Sequence, residues 1–338
     1  QFNSYYQGIA PPPPRERRGL QSRPSLKEVL AWREHVDAAI ARLPSAFRED
    51  LLELGIQHEQ QHQELILTDL KHAFFLQPAR PAYRAAPALQ AEREPTPSVR
   101  AEPVREIAWS RHQGGLVPIG HEGPGFAFDN EGPRHRVWLE PFELATRRVT
   151  NGEFMEFILD GGYQHPRCWL SDGWDWVRAN GIACPLYGSA DLSDGFTLHG
   201  DRPLESGAPV CHVSYYEADA YARWAGARLP TEFEWEHAHA GAAPRGQFLE
   251  DGALHPADPA GDWGGAWNWT ASAYAPYPRY RAPLGPVGEY NGKFMCGQMV
   301  LRGGSCATPR ALARASYRNF FPPAARWQFT GILLARDA

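Results

Sequence analysis

Apolar residues recur at helical spacing in two stretches near the start of the chain. The first stretch follows Ser25-Leu26-Lys27-Glu28, where a Ser and a Glu three residues apart can satisfy each other's backbone N–H groups at a helix start. Its apolar positions are Leu26, Val29, Leu30, Val36, Ile40 and Leu43. Pro44 ends this helix, and the pattern predicts a second, longer helix over about residues 47–76.

The second predicted helix has apolar residues near one face, namely Leu51, Leu54, Leu65 and Ile66. One neighbouring helix cannot cover either stripe fully, so we expect at least one further helix to pack here, as in a bundle. From Pro78 to Pro103 the chain is rich in Pro, Ala, Arg and Glu without periodicity. We therefore predict a helical domain over residues 1–77 and a linker or wrapping segment over residues 78–104.

The pattern changes from Glu106 onward, where Gly, Pro, Trp and Tyr recur at short spacing. Short strands are predicted at residues 115–119, 136–139 and 299–303, and helices at residues 151–159 and 216–225. A domain of this kind is held together by aromatic packing and turn chemistry more than by long regular elements. We predict an irregular α+β domain over residues 105–338.

Composition narrows the class of protein. Hydrophobic residues make up 43% of the 338 residues, which is ample for a buried core, and the formal net charge is -5. No basic cluster indicates a nucleic-acid partner, and no apolar run reaches the roughly 18 residues that a membrane helix needs. Five cysteines without paired close spacing favour reduced thiols. We expect a soluble, cytoplasmic protein that binds neither nucleic acid nor membranes.

The main candidate for chemistry is His58-Glu59-Gln60-Gln61-His62 on the second predicted helix. Two imidazoles four residues apart lie on one helix face and can bind a single metal ion. The same spacing also occurs on solvated or hydrogen-bonded faces, so the pair alone does not decide between these readings. The string fits zinc proteases too, with Glu59 as general base, but Thr68 stands where the extended protease motif needs a histidine.

Two resemblances extend this picture. His58, His62 and Glu64 form a His-x-x-x-His-x-Glu motif similar to that of DinB-like helical domains. The second domain resembles the formylglycine-generating-enzyme-like fold, a C-type-lectin-related scaffold. The matching segments are residues 114–120, 149–154, 209–215, 227–236, 266–270 and 301–306. A DinB-like domain in front of this fold resembles the ergothioneine-biosynthesis sulfoxide synthases, the EgtB family.

This resemblance implies a mononuclear non-haem Fe(II) enzyme that uses O2. Such enzymes join the sulfur of a thiol to C2 of N-alpha-trimethylhistidine (hercynine) and oxidise that sulfur to a sulfoxide. His58 and His62 match two of three histidine ligands of the metal. The third ligand of the family lies on a helix before the segment that Asn3-Ser4-Tyr5-Tyr6 matches, so we expect it upstream of Gln1; His72 or a solvent molecule is the alternative donor.

The resemblance also implies substrate-binding residues. Gln61 and Asn319 match residues that seat the trimethylhistidine, and Phe320 and Phe321 would line the same pocket. Aromatic faces suit a quaternary ammonium, which has no hydrogen to donate. Other members that use gamma-glutamylcysteine have an Asp at the position of Phe321, so we expect free cysteine as the sulfur donor here.

Tyr5 and Tyr6 match tyrosines that approach the iron in one subgroup, where a phenol can donate a proton or hydrogen atom. The resemblance further implies that a Ca²⁺ ion can brace the second domain. Cys306 stands near a copper-binding cysteine of the formylglycine-generating oxidases, but its partner position holds Ala311, which argues against a copper thiol oxidase.

Alternatives remain open at this point. One is a sulfoxide synthase of the ovothiol type, which acts on unmethylated histidine at a different ring carbon. Another is a non-catalytic lectin-like module that binds a ligand while the helices merely dock on it.

Overall fold

The computed structural model describes residues 8, 24–44, 49–85, 106–189, 191–257, 261 and 263–338. Tyr5 and Tyr6 lie outside these described residues. The helices are α1 (Leu26–Ile40), α2 (Glu49–Leu76), α3 (Asn151–Leu159), α4 (Ser171–Asn180), α5 (Tyr215–Trp224) and α6 (Glu232–Ala238). None of the helices in the described part of the chain is long and apolar enough to cross a lipid bilayer.

The strands are short. They are β1 (Trp109–His112), β2 (Gly115–Ile119), β3 (His135–Leu139), β4 (Phe142–Ala145), β5 (Asp194–Thr197), β6 (Gly200–Pro203), β7 (Gly246–Gln247), β8 (Trp263–Gly264), β9 (Trp267–Ala273), β10 (Met299–Arg302), β11 (Asn319–Phe321), β12 (Thr330–Gly331) and β13 (Ala335–Asp337). A four-stranded sheet has the order β11-β10-β9-β12, and a three-stranded sheet has the order β1-β4-β13. The mixed helix and sheet content confirms the predicted α+β class.

Both predicted N-terminal helices are present. Ser25 and Glu28 form the predicted capping box: the Ser25 hydroxyl accepts the Glu28 N–H, and the Glu28 carboxylate accepts the Ser25 N–H at 2.7 Å. The apolar stripe of α1 is not covered by the residues that the structure describes, since Leu26 is 73% and Ile40 46% exposed. The DinB-like arrangement of the helical domain therefore stays a prediction.

Helix α2 packs against the second domain along one face. Its buried residues are Glu64, Leu67, Thr68 and Lys71. After α2, the N–H groups of Tyr83 and Arg84 both donate to the carbonyl of Leu198, at 2.9 and 3.2 Å. The chain therefore stays in contact with the second domain as it leaves the helix.

The second domain has an aromatic core around the central four-stranded sheet. Trp235, Trp267 and Trp269 are fully buried. Beside them lies a buried ion cluster, in which the Glu232 carboxylate accepts hydrogen bonds from Arg302 at 2.7 Å and from Arg318 at 2.8 Å. These interactions join α6 to β10 and to the residue just before β11.

Two helices were missed by the periodicity reading. Helix α6 has seven residues, too few for a periodic signal, although Thr231 and Glu234 form a capping box that marks its start. Helix α4 ends at Gly181, which adopts the left-handed conformation (φ 59°) common at helix ends. The residues at the helix ends, and not hydrophobic spacing, were the available sequence signal for both helices.

Candidate functional site

His58 and His62 face each other on α2. Their Nε2 atoms are 3.0 Å apart and the rings meet edge to face at 4.5 Å between centroids. His58 is half-buried and His62 is exposed. The pKa of His58 is lowered mainly by burial and secondly by the neighbouring His62, so this imidazole is neutral near pH 7. Neutral imidazole is the form that binds a metal ion.

Geometry and donor type fit a metal ion at this pair. Two imidazole nitrogens that bind one ion at about 2.1 Å, at a right angle, would lie about 3.0 Å apart. The observed separation equally suits a hydrogen bond between two neutral rings. Among the described residues, no group of three or more His, Cys, Asp and Glu side chains could hold a metal ion, so the pair would need a donor from elsewhere.

Gln61 connects the histidine face to the second domain. Its side-chain N–H donates to the Tyr317 hydroxyl at 2.7 Å, and its carbonyl accepts a hydrogen bond from the Tyr290 hydroxyl. The Tyr290 ring also packs edge-on against His58, with centroids 5.2 Å apart. Burial raises the pKa of Tyr317 well above its usual range, so its hydroxyl is protonated. The histidine pair thus lies at the contact between α2 and the second domain.

Sequence reasoning missed Tyr290. It lies just after a short turn of 3-10 helix at Pro286–Glu289, in a segment with no periodic or motif signal. Tyr317 lies two residues before Asn319, but the sequence assigned it no role. Only the three-dimensional contact with Gln61 identifies both tyrosines as parts of the site.

Glu64 anchors the same helix two residues after His62. Its carboxylate accepts three hydrogen bonds from the second domain: from the Trp267 indole at 2.7 Å, from Ser305 at 2.8 Å and from Thr308 at 2.8 Å. Burial raises the pKa of Glu64 despite these donors. The glutamate of the His-x-x-x-His-x-Glu motif is therefore an attachment point for α2.

Further along α2, Lys71 and His72 contact the second domain as well. The Lys71 amine lies 2.6 Å from Nε2 of His212, and Nδ1 of His72 lies 3.1 Å from the Tyr187 hydroxyl. His72 therefore contacts Tyr187. It lies ten residues beyond His62, about 15 Å further along the helix. His72 as a substitute ligand has no support in these contacts.

The predicted pocket residues lie on β11, two residues beyond Tyr317. The Asn319 side chain accepts the N–H of Phe320 at 2.9 Å. Phe320 stacks on Tyr274 at 4.0 Å, whereas Phe321 packs edge-on against Trp327 at 5.7 Å. Neighbouring residues on a strand point to opposite faces, which accounts for these different neighbours. Their common pocket stays a prediction.

Comparisons with known proteins agree with this arrangement. A family model described as the sulfatase-modifying factor enzyme 1-like domain matches residues 97–265. Hercynine oxygenase from Mycobacterium tuberculosis is 34% identical over 328 residues, covering 88% of this chain and 74% of the relative. Hercynine oxygenase from Mycolicibacterium thermoresistibile is 34% identical, with 88% and 71% covered.

A formylglycine-generating enzyme from Streptomyces coelicolor is 31% identical over 293 residues, covering 72% of this chain and 90% of the relative. The match to the hercynine oxygenases covers 88% of this chain at 34% identity, so it extends beyond the second domain. The chain therefore belongs to the EgtB family of oxygenases.

Proposed function

We propose that this protein is an Fe(II)- and O2-dependent sulfoxide synthase that couples trimethylhistidine to cysteine. The observation that carries the proposal is the convergence of His58 and His62 at the contact between α2 and the second domain, beside Gln61 and Tyr290. The relatives named hercynine oxygenase support the substrate, since hercynine is trimethylhistidine.

The overall reaction balances without a further reductant. A C–S bond forms between C2 of the imidazole and the cysteine sulfur, while the ring C–H and the thiol S–H break. One atom of O2 enters the sulfoxide, and the other leaves as water with those two hydrogens. The four electrons that reduce O2 come from the two substrates, and bound Fe(II) would supply the open coordination positions that activate O2 and hold the thiol.

The chain's own residues would hold and orient the reactants. His58 and His62 would bind the iron as neutral donors. Gln61, held by Tyr290 and Tyr317, would present a fixed amide to the trimethylhistidine, and the aromatic ring of Tyr290 suits its quaternary ammonium. Phe320 and Phe321 remain proposed pocket residues by resemblance. Within the described part of the chain, Tyr290 is the tyrosine whose ring contacts His58, so its hydroxyl can donate a proton at this site. Tyr5 and Tyr6 remain proposed proton donors by resemblance.

Mass spectrometry tests the proposal. The full natural protein, loaded with ferrous iron under O2, should convert trimethylhistidine and cysteine to a sulfoxide conjugate. Absence of that conjugate, with iron bound, would refute the assigned reaction. A parallel arm with unmethylated histidine separates the ovothiol type, and one with gamma-glutamylcysteine tests the thiol expected from Phe321.

Iron content supplies the matched control. His62→Ala should lose bound iron, whereas His72→Ala, on the same helix but engaged with Tyr187, should keep it. Equal iron in both variants would favour the lectin-like binding module, in which the histidine pair has no metal role.

A further inference from the structure

A cavity of ≈ 280 Å³ lies in the second domain, and its lining does not include His58, Gln61 or His62. Its walls come from α3, from the β5–β6 hairpin and from residues 253–257. Apolar side chains line most of it, among them Phe154, Ile158, Leu186 and Phe196. No α2 residue is among the described residues that line it. This volume is close to the lower end of known ligand pockets, so a small molecule would fit.

One wall of the cavity carries a cation. Arg202, on β6, lines the cavity and is half-buried, and its side chain has no ion pair or hydrogen bond within the described part of the chain. Two carboxylates also line the cavity. Asp194 accepts a hydrogen bond from Ser193 at 2.7 Å, and Glu205 is exposed. Arg202 is therefore a guanidinium available to an anionic ligand.

His255 adds a polar group to the lining. Its Nδ1 is sealed from solvent and has no hydrogen-bond partner among the described residues. The pKa of His255 is lowered to about 3, mainly by burial and secondly by the charge of Lys71, so the ring is neutral and has one N–H. A solvent-excluded N–H without an acceptor costs more free energy than a solvent-excluded lone pair. Nδ1 therefore carries the lone pair, and the proton is on Nε2. The ring thus offers an Nε2–H donor.

We propose that this cavity is a ligand site for a small carboxylate with an apolar body. The carboxylate would accept hydrogen bonds from Arg202 and His255, and the body would lie between Phe154 and Phe196. Charge-assisted bonds to a carboxylate are the strongest that these two donors can form, and the apolar walls favour an aryl or alkyl group. The assignment stands independently of the reaction proposed for the histidine pair.

The test uses 3-phenylpropionate as probe and the uncharged 3-phenylpropanamide as its matched analogue, with affinity measured by titration calorimetry on the full chain. The acid should bind saturably and about tenfold more tightly than the amide, because only the acid forms charge-assisted bonds. No saturation by roughly 5 mM acid, or equal affinity for acid and amide, overturns the proposal.

Two variants locate the binding. Arg202→Gln should remove the preference for the acid. Gly195→Ile should abolish binding of both probes by filling the cavity, while Gly195→Ala should retain it. A Cβ at Gly195 meets nothing closer than Leu204 Cδ1 at 3.8 Å, so the alanine is compatible with the fold. Circular dichroism verifies that the isoleucine variant is folded as well. Undiminished binding in Gly195→Ile, or an unchanged acid preference in Arg202→Gln, contradicts the assignment.

Discussion

Gln61 shows how a single side chain joins the two parts of the candidate site. It lies one residue before His62, and it hydrogen-bonds both Tyr317 and Tyr290 of the second domain. Neither tyrosine is near Gln61 in sequence, so the amide is held by contacts that only the folded chain provides. An amide fixed in this way can bind a substrate without first losing side-chain freedom.

Gln61→Ala should raise KM for trimethylhistidine roughly tenfold with a smaller change in kcat, because the variant loses a fixed polar contact but leaves both histidines in place. Gln63→Ala is the matched control, since Gln63 is exposed on the same helix. Steady-state kinetics with iron-loaded protein measures both. An unchanged KM in Gln61→Ala would remove this residue from the substrate site.

The attachment of α2 belongs to the element scale. Glu64→Ala leaves the Trp267, Ser305 and Thr308 donors without their acceptor in a buried place. We expect a loss of at least about 2 kcal/mol in the free energy of unfolding, together with faster amide exchange along α2. Glu53→Ala, an exposed position on the same helix, should change neither. Slow exchange along α2 in the Glu64 variant would show that other contacts hold the helix.

Lys71 gives α2 a pH-dependent contact. Burial lowers the pKa of its amine from 10.5 to about 8. Between pH 8 and 10.5 the unfolded chain therefore binds a proton that the folded chain lacks, so this residue makes stability rise with pH across that window, by up to about 3 kcal/mol. Below pH 8 the lysine is protonated in both states and contributes no slope.

Lys71→Met should remove that rise and stabilise the protein at pH 7, because a buried charge is replaced by an apolar side chain of similar length. His212, whose pKa burial lowers well below its ordinary value, stays neutral in both proteins above pH 7. Urea unfolding at several pH values compares the two slopes. Identical slopes would mean that the lysine is solvated in the folded state.

Local signals explain which elements were predictable. The bounds of β2 and α3 follow from an alternating run and from the Thr150–Glu153 capping box, and the structure reproduces both. The two histidines were recognisable because helix geometry places residues i and i+4 on one face, whereas Gln61 was identified through the family resemblance. Tyr290 was not recognisable from the sequence, because its position depends on the long-range packing that brings the segment after β9 against α2.

At the scale of the whole molecule, the buried ion cluster connects the elements that carry the predicted pocket. Glu232 on α6 binds Arg302 of β10 and Arg318, which directly precedes Asn319. Burial would raise the pKa of Glu232, but the charges of Arg318 and Arg302 outweigh it and hold that pKa below its ordinary value. The cluster's stabilisation is therefore present at neutral pH and is lost in acid.

Glu232→Ala should destabilise the protein by about 3–5 kcal/mol, because it leaves the buried Arg318 guanidinium without a carboxylate and Arg302 with Glu236 alone. Asp337→Ala removes the partner of a surface pair with Arg228, and, because Asp337 is 90% exposed, it should change stability little. Chemical denaturation of both variants makes the comparison. If the two substitutions cost the same, the buried cluster is not what holds α6, β10 and β11 together, and the position of Asn319 must depend on the sheet alone.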